Sequence, residues 1–170
     1  MNTNDQPDRI DHIIAQWRLA LPELDPSPLE VVGRLLVLAQ RLEERVTAAL
    51  QQHELTLGQF DILATLCRHG SGLSPTALLK NVALSSGGMT ARLDKLEEAG
   101  LLCRTPDPGD RRMIVIKLTP RGEQVIRVAV ATRFAEAKAC LPDFNNEESA
   151  VLTRLLRRWL RTTSETDPMK

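Results

Sequence analysis

The chain has 170 residues, 42% hydrophobic and 26% charged, and its 22 basic residues balance 22 acidic ones. That suits one domain with helical extensions around a real core, of ordinary globular composition. No apolar run approaches the ~18 residues of a membrane span, and the polar start MNTNDQPD is no secretion signal, so a cytoplasmic protein without a membrane partner is expected.

Residues 7–21 are predicted to form a short helix with Ile10, Ile13, Ile14, Trp17 and Leu21 on one side. The prolines of LDPSPLE interrupt it and start the next helix, with Ser27 as N-cap, Pro28 at the first helical position and Glu30 three residues after the cap. Val32, Leu35, Ala39, Leu42, Val46 and Ala49 then recur at spacings of three and four, which suits a coiled-coil-like seam or a core helix equally. Thr56 opens another helix, with Phe60, Leu63, Ala64 and Cys67 on one face, and Ser74-Pro75 opens a short one ending near Ala83. Ser85 or Ser86 is expected to cap the segment SGGMTARLDKLEEAG, which buries Met89, Leu93 and Leu96 and stops at Gly100. LLCRT and MIVIKL read as two strands around the turn PDPGD, with Arg111 and Arg112 at the hairpin tip. Thr119-Pro120 starts a long helix to about Cys140. Asn145 and Glu148 form a capping box for the last helix, whose apolar stripe is Leu152, Leu155, Leu156, Trp159 and Leu160.

The even charge total conceals unlike segments. Residues 1–30 carry six acids against Arg9 and Arg18, whereas residues 80–121 carry eight bases against five acids. A polyanion partner is compatible with that asymmetry, with modest and salt-dependent nonspecific binding. Cys67, Cys103 and Cys140 are odd in number, widely spaced and without CxxC, so neither a disulfide framework nor a thiolate metal site is suggested. They read as small buried or half-buried residues, with redox sensing by Cys103 as the alternative. His12, His53 and His69 have no ligand spacing, and no cofactor is expected.

Three short helices followed at once by a two-stranded hairpin make the winged-helix arrangement. Its last helix, here from about residue 86, enters the major groove of DNA and its hairpin lies along the neighbouring minor groove. Arg111 and Arg112 then meet phosphates and the narrow groove's negative potential; a solvated tip is the alternative. The predicted class is mainly α with a small β-wing. Residues 1–27 form an extension with an extra helix, 28–53 a dimerisation helix, 54–118 the winged helix-turn-helix, 119–163 C-terminal dimerisation helices and 164–170 a tail.

The ordered set T-x-R-L-x-x-L-E-x-x-G-L, R-x-x-D-P-x-D-R-R and L-T-P-x-G resembles the MarR family of bacterial transcriptional regulators over roughly residues 30–160. The resemblance implies a homodimer on a pseudo-palindromic double-stranded DNA operator, commonly a repressor that releases DNA when a small molecule binds. By position it places DNA contacts on Ser86, Gly87, Gly88, Thr90, Arg92 and Lys95, and on Asp110, Arg111 and Arg112 of the wing, with Asp110 bracing Arg112 by a salt bridge. SSGGMT departs from the usual family segment, so base preference does not transfer. Members that respond to urate carry an added N-terminal helix with a Trp, and Trp17, Asp61, Arg92 and Arg104 fit their effector positions. A ring, two guanidiniums and a carboxylate suit a flat anion. An enzyme is disfavoured, since GxSxG, GxGxxG, a Walker loop and a metal-ligand cluster are all missing. A winged helix that binds only protein is the other rival.

Overall fold

A computed structural model describes residues 6–82, 88–107, 109–110 and 112–165, the side chains of residues 164 and 165 excepted. The chain divides into two compact units, Met1–Glu136 and Ala137–Lys170. Among the described residues no helix is long and apolar enough to cross a membrane, and no group of three or more side chains is placed to hold a metal ion.

The first unit opens with α1 (Arg9–Ala20) and α2 (Leu29–Gln51). Asp8 caps α1: its Oδ1 accepts from the amides of Ile10 (2.7 Å) and Asp11 (3.1 Å), and Asp11 Oδ2 accepts from the Asp8 amide at 2.8 Å. One arginine of α2 fastens this cap. Arg34 donates through Nε to Asp8 (2.8 Å) and through Nη2 to Asp11 (2.6 Å), and Ile10 and Ile14 are buried. Ser27 does not cap α2 as expected. Its hydroxyl donates to Asp25 at 2.8 Å, and α2 starts behind Pro28 with no side-chain cap. Asp25 accepts from both the amide and the hydroxyl of Ser27, so Ser27 belongs to the Asp25 turn rather than to the helix start.

The α1 cap makes a pH-dependent contact. Burial works to raise the Asp8 pKa, but the bonds from Arg34 and from the amides of Asp11 and Ile10 outweigh it and hold the group below its ordinary value. Arg34, then the Asp8 amide, lowers Asp11. Depressed carboxylates stabilise above their unfolded pKa, and the contribution is lost as pH falls through the folded values. The anisotropy of Trp17, measured with Trp159→Phe, should therefore stay flat at neutral pH and drop below about pH 4 as α1 loosens. An identical curve from Arg34→Ala would refute this account.

The winged region comprises α3 (Leu57–His69), α4 (Pro75–Asn81), α5 (Met89–Glu98), β1 (Leu102–Pro106) and β2 (Ile114–Leu118). Thr56 and Gln59 form a reciprocal capping box on α3, and Ser74 Oγ accepts the Ala77 amide at the start of α4. β1 and β2 pair antiparallel from Leu102–Leu118 to Pro106–Ile114, and Leu73 bridges Ile116 on the other side of β2. α5 ends in a Schellman motif, with the Gly100 amide on Glu97 O, the Leu101 amide on Leu96 O and Gly100 at φ 67°. Leu50, Ile62, Leu63, Leu78, Leu96, Leu102, Ile116 and Ile126 form the fully buried centre. Each such side chain contributes about 1.5–3 kcal/mol relative to exposure.

α6 (Pro120–Cys140) leaves β2 through Thr119, whose hydroxyl donates to Gly100 O at 2.6 Å and accepts the Gly122 amide at 3.0 Å. In the second unit, Asn145 and Glu148 cap α7 (Asn146–Glu165) reciprocally, as expected. Leu156 and Trp159 of its stripe are half-buried, while Leu152, Leu155 and Leu160 are exposed. The α2 seam is mixed: Val32, Ala39 and Leu42 are exposed, Leu35 and Ala49 half-buried and Val46 buried. Cys103 and Cys140 are half-buried as expected, but Cys67 is exposed, because the last turn of α3 rises out of the core.

Candidate nucleic-acid interface

α5 buries Met89, Leu93 and Leu96, and so turns Thr90, Ala91, Asp94 and Lys95 to solvent. Its start differs from expectation. Ser85 and Ser86 lie outside the described residues, as does Gly87, and the residue before the helix is Gly88, left-handed at φ 76° and without a side-chain cap. Gly88 itself places no side chain over the first amides of α5, and uncapped amides at a helix start favour an anion.

Arg92 is half-buried and lies back over α3. A Cβ on Gly58 would stand 2.9 Å from its Nε and 3.1 Å from its Cζ, so glycine makes room for the guanidinium. Gly58 and Asp61 are one turn apart on α3, so Arg92 lies on the Asp61 side of that helix.

The wing tip is shaped by two aspartates. Asp107 Oδ1 accepts from the amides of Gly109 (2.7 Å) and Asp110 (3.3 Å), and Asp110 Oδ1 accepts from the Arg112 amide at 3.0 Å. Asp110 therefore braces Arg112 through its backbone. The expected salt bridge is not what joins them, because the short aspartate is spent on the turn. The Arg112 side chain is exposed, and Arg111 lies outside the described residues.

Arg104 stands at the foot of the wing and is 28% exposed at its side chain. It bonds Asp94 at 2.7 Å through Nη2 and pairs with Glu97 through Nη1, and its amide donates to Glu97 Oε1 at 3.0 Å. The Asp94 bond, against the opposing pull of burial and with help from Glu97, raises the guanidinium pKa above its ordinary value. Sequence reading gave Arg104 a different partner and missed both carboxylates; their i, i+3 spacing on α5 was the available signal.

Of the four expected effector residues, Trp17 stands on α1, Asp61 on α3, Arg92 on α5 and Arg104 on β1. Trp17, 48% exposed, lines a pocket of about 390 Å³ with Leu21, Leu24, Asp25, Pro26, Pro28 and Leu29, to which Asp61, Arg92 and Arg104 do not contribute. Arg92 is on the Asp61 side of α3, and Arg104 is paired with Asp94 and Glu97 of Arg92's own helix.

The MarR family pattern matches residues 55–114. The chain is 34% identical over 151 residues to the transcriptional regulator PecS of Dickeya dadantii, covering 88% of this chain and 91% of that protein. It is 28% identical over 141 residues to the transcriptional repressor NicR of Pseudomonas putida, with 81% and 89% covered. Among solved structures it superposes on BpsR of Bordetella bronchiseptica, whose DNA binding is regulated by 6-hydroxynicotinic acid, with a TM-score of 0.63 and 28% identity over 82% of this chain and 96% of that one.

Proposed function

This chain belongs to the MarR family of DNA-binding transcriptional regulators, and on that premise we propose that it is a homodimeric repressor released from DNA by a small flat anion. The observation that carries this reading is the shared solvent exposure of Thr90 and Lys95 on α5 and Arg112 on the wing. In the reading, α5 enters the major groove with Gly88, Thr90 and Lys95 foremost, joined by Ser86 and Gly87, while Arg111 and Arg112 follow the minor groove and Asp110 shapes the tip. Homodimerisation is supported by the uncovered apolar side chains of α2 and α7, which a second copy would bury. Repression follows the name of NicR.

The flat-anion effector is supported by the regulation of BpsR by a flat aromatic acid, and urate is the first candidate. Asp61 and Arg92 are its most coherent anchor in this chain, since Arg92 belongs to α5 and a ligand there would pull directly on the DNA-facing helix. Arg104 would join by exchanging a carboxylate partner for the anion.

A mobility-shift assay on the DNA upstream of the chain's own gene tests this, with urate and 6-hydroxynicotinate added in turn. Retardation, a footprint of two half-sites about 10 base pairs apart and release by either anion are expected. A ~100-fold preference of the anion for the non-binding conformation corresponds to about 2.7 kcal/mol. Retardation without release would reject the effector class, and a single protected half-site would reject the dimer.

A further inference from the structure

Asp94 and Glu97 are three residues apart on α5, and one guanidinium from β1 spans both. Glu97 is gripped twice, by the Arg104 side chain and by the Arg104 amide, so the helix is tied to both backbone and side chain of the strand. We propose that Arg104 is a positioning residue for DNA recognition, a strut that makes α5 and the wing one rigid reading head. The proposal rests on the reading that α5 and the wing both touch DNA.

The lever arm gives the strut its importance. A five-residue strand reaches about 17 Å from foot to tip, so a 10° swing at the foot moves the tip by about 3 Å. A displacement of that size breaks any hydrogen bond to phosphate or base. Apart from the strut, the local tie between α5 and β1 is the short turn through Ala99, Gly100 and Leu101, whose bonds Leu101 N–Leu96 O and Gly100 N–Glu97 O are both backbone. They fix where the helix ends; the backbone bridge from Leu73 to Ile116 holds the β2 edge of the wing, and the strut holds the β1 edge against α5. Arg104 also offsets two carboxylates on a helix that must approach phosphates; Asp94 is itself exposed beside Lys95.

The test uses the full chain and a duplex selected by it from a random-sequence pool, with a scrambled duplex of equal length as control. Arg104→Ala should weaken the selected duplex about tenfold or more and the scrambled one by less than about threefold, the pattern of lost geometry rather than a lost phosphate contact, and Glu97→Ala, which leaves the Asp94 bond, should do the same to a smaller degree. Because Glu97→Ala removes part of what Arg104→Ala removes, the double variant should be little worse than Arg104→Ala alone. Arg104→Lys, able to hold only one carboxylate at a time, should fall between wild type and Arg104→Ala. Equal losses on both duplexes, additive single effects or unchanged affinity would each overturn the proposal. If Arg104→Ala fails to fold, Glu97→Ala and Arg104→Lys carry the same comparison. Lys95→Ala and Arg112→Ala separate the two readings: if neither weakens the selected duplex, the assignment of α5 and the wing to DNA has failed instead.

Discussion

Gly122→Ala should lower stability by about 4 kcal/mol and the melting temperature by about 10 °C or more. Helix propensity alone gives the opposite sign, since alanine in a helix interior is favoured over glycine by up to about 1 kcal/mol. Geometry reverses it. A Cβ at residue 122 would stand 1.8 Å from the carbonyl oxygen of Leu101 and 2.8 Å from its carbon, and backbone cannot move aside as a side-chain end can. The same carbonyl accepts the Thr119 amide at 3.1 Å, so relief would require withdrawing the first turn of α6 from the turn between α5 and β1. That would also stretch the Thr119 hydroxyl bonds to Gly100 and Gly122 and open the core at Ile126 and Ala129. Overpacking of this kind ordinarily costs about 1–3 kcal/mol; a backbone obstacle on both sides places this site above that range. Thermal unfolding followed by circular dichroism decides between the two signs, and a variant as stable as wild type would remove the carbonyl from the account.

Gly122 also shows what the sequence made legible and what it did not. L-T-P-x-G was read as a motif, and its threonine and proline were given local roles as helix signals. Those roles hold: Thr119 accepts the Gly122 amide, and α6 begins at Pro120. The glycine's reason is a carbonyl twenty-one residues earlier, which no local pattern contains. The same division recurs elsewhere. The Thr56–Gln59 and Asn145–Glu148 boxes, the stop at Gly100 and the hairpin were readable because each is written within a few residues. Ser27 failed as a cap because its amide and hydroxyl are both bonded to Asp25 in a local turn and the helix begins behind Pro28, a choice that composition does not rank. In the effector set, all four residue types were sound choices for a flat anion. What the sequence did not show is the pairing of Arg104 with Asp94 and Glu97 and the packing of Trp17 beside its own linker, and both are matters of tertiary packing. The α2 seam stays open to both readings: its periodicity suited a core helix or a helix pair, and in the folded chain Val46 is buried while Val32 and Leu42 are exposed.

Arg112→Ala should weaken binding to the selected duplex by about 1–3 kcal/mol and lower the salt slope by about one counterion, without change in thermal melting. Its backbone is fixed before DNA arrives. Asp107 anchors the amide of Asp110, Asp110 anchors that of Arg112, and the Met113 amide returns to Asp110 O at 2.8 Å. The side chain is exposed, and among the described residues it makes no ion pair, so its full charge is available to phosphate or the minor groove. A free arginine on an ordered turn loses less conformational entropy on binding than one on a loose loop. Asp110 distinguishes this arrangement from a side-chain salt bridge. The amide oxygen of Asp110→Asn can still accept the Arg112 N–H, so that variant should bind close to wild type, whereas Asp110→Ala, with no acceptor, should lose part of the affinity that Arg112→Ala loses entirely. Were the brace ionic, asparagine and alanine would be equally harmful, and titration of the two variants against one duplex separates the cases.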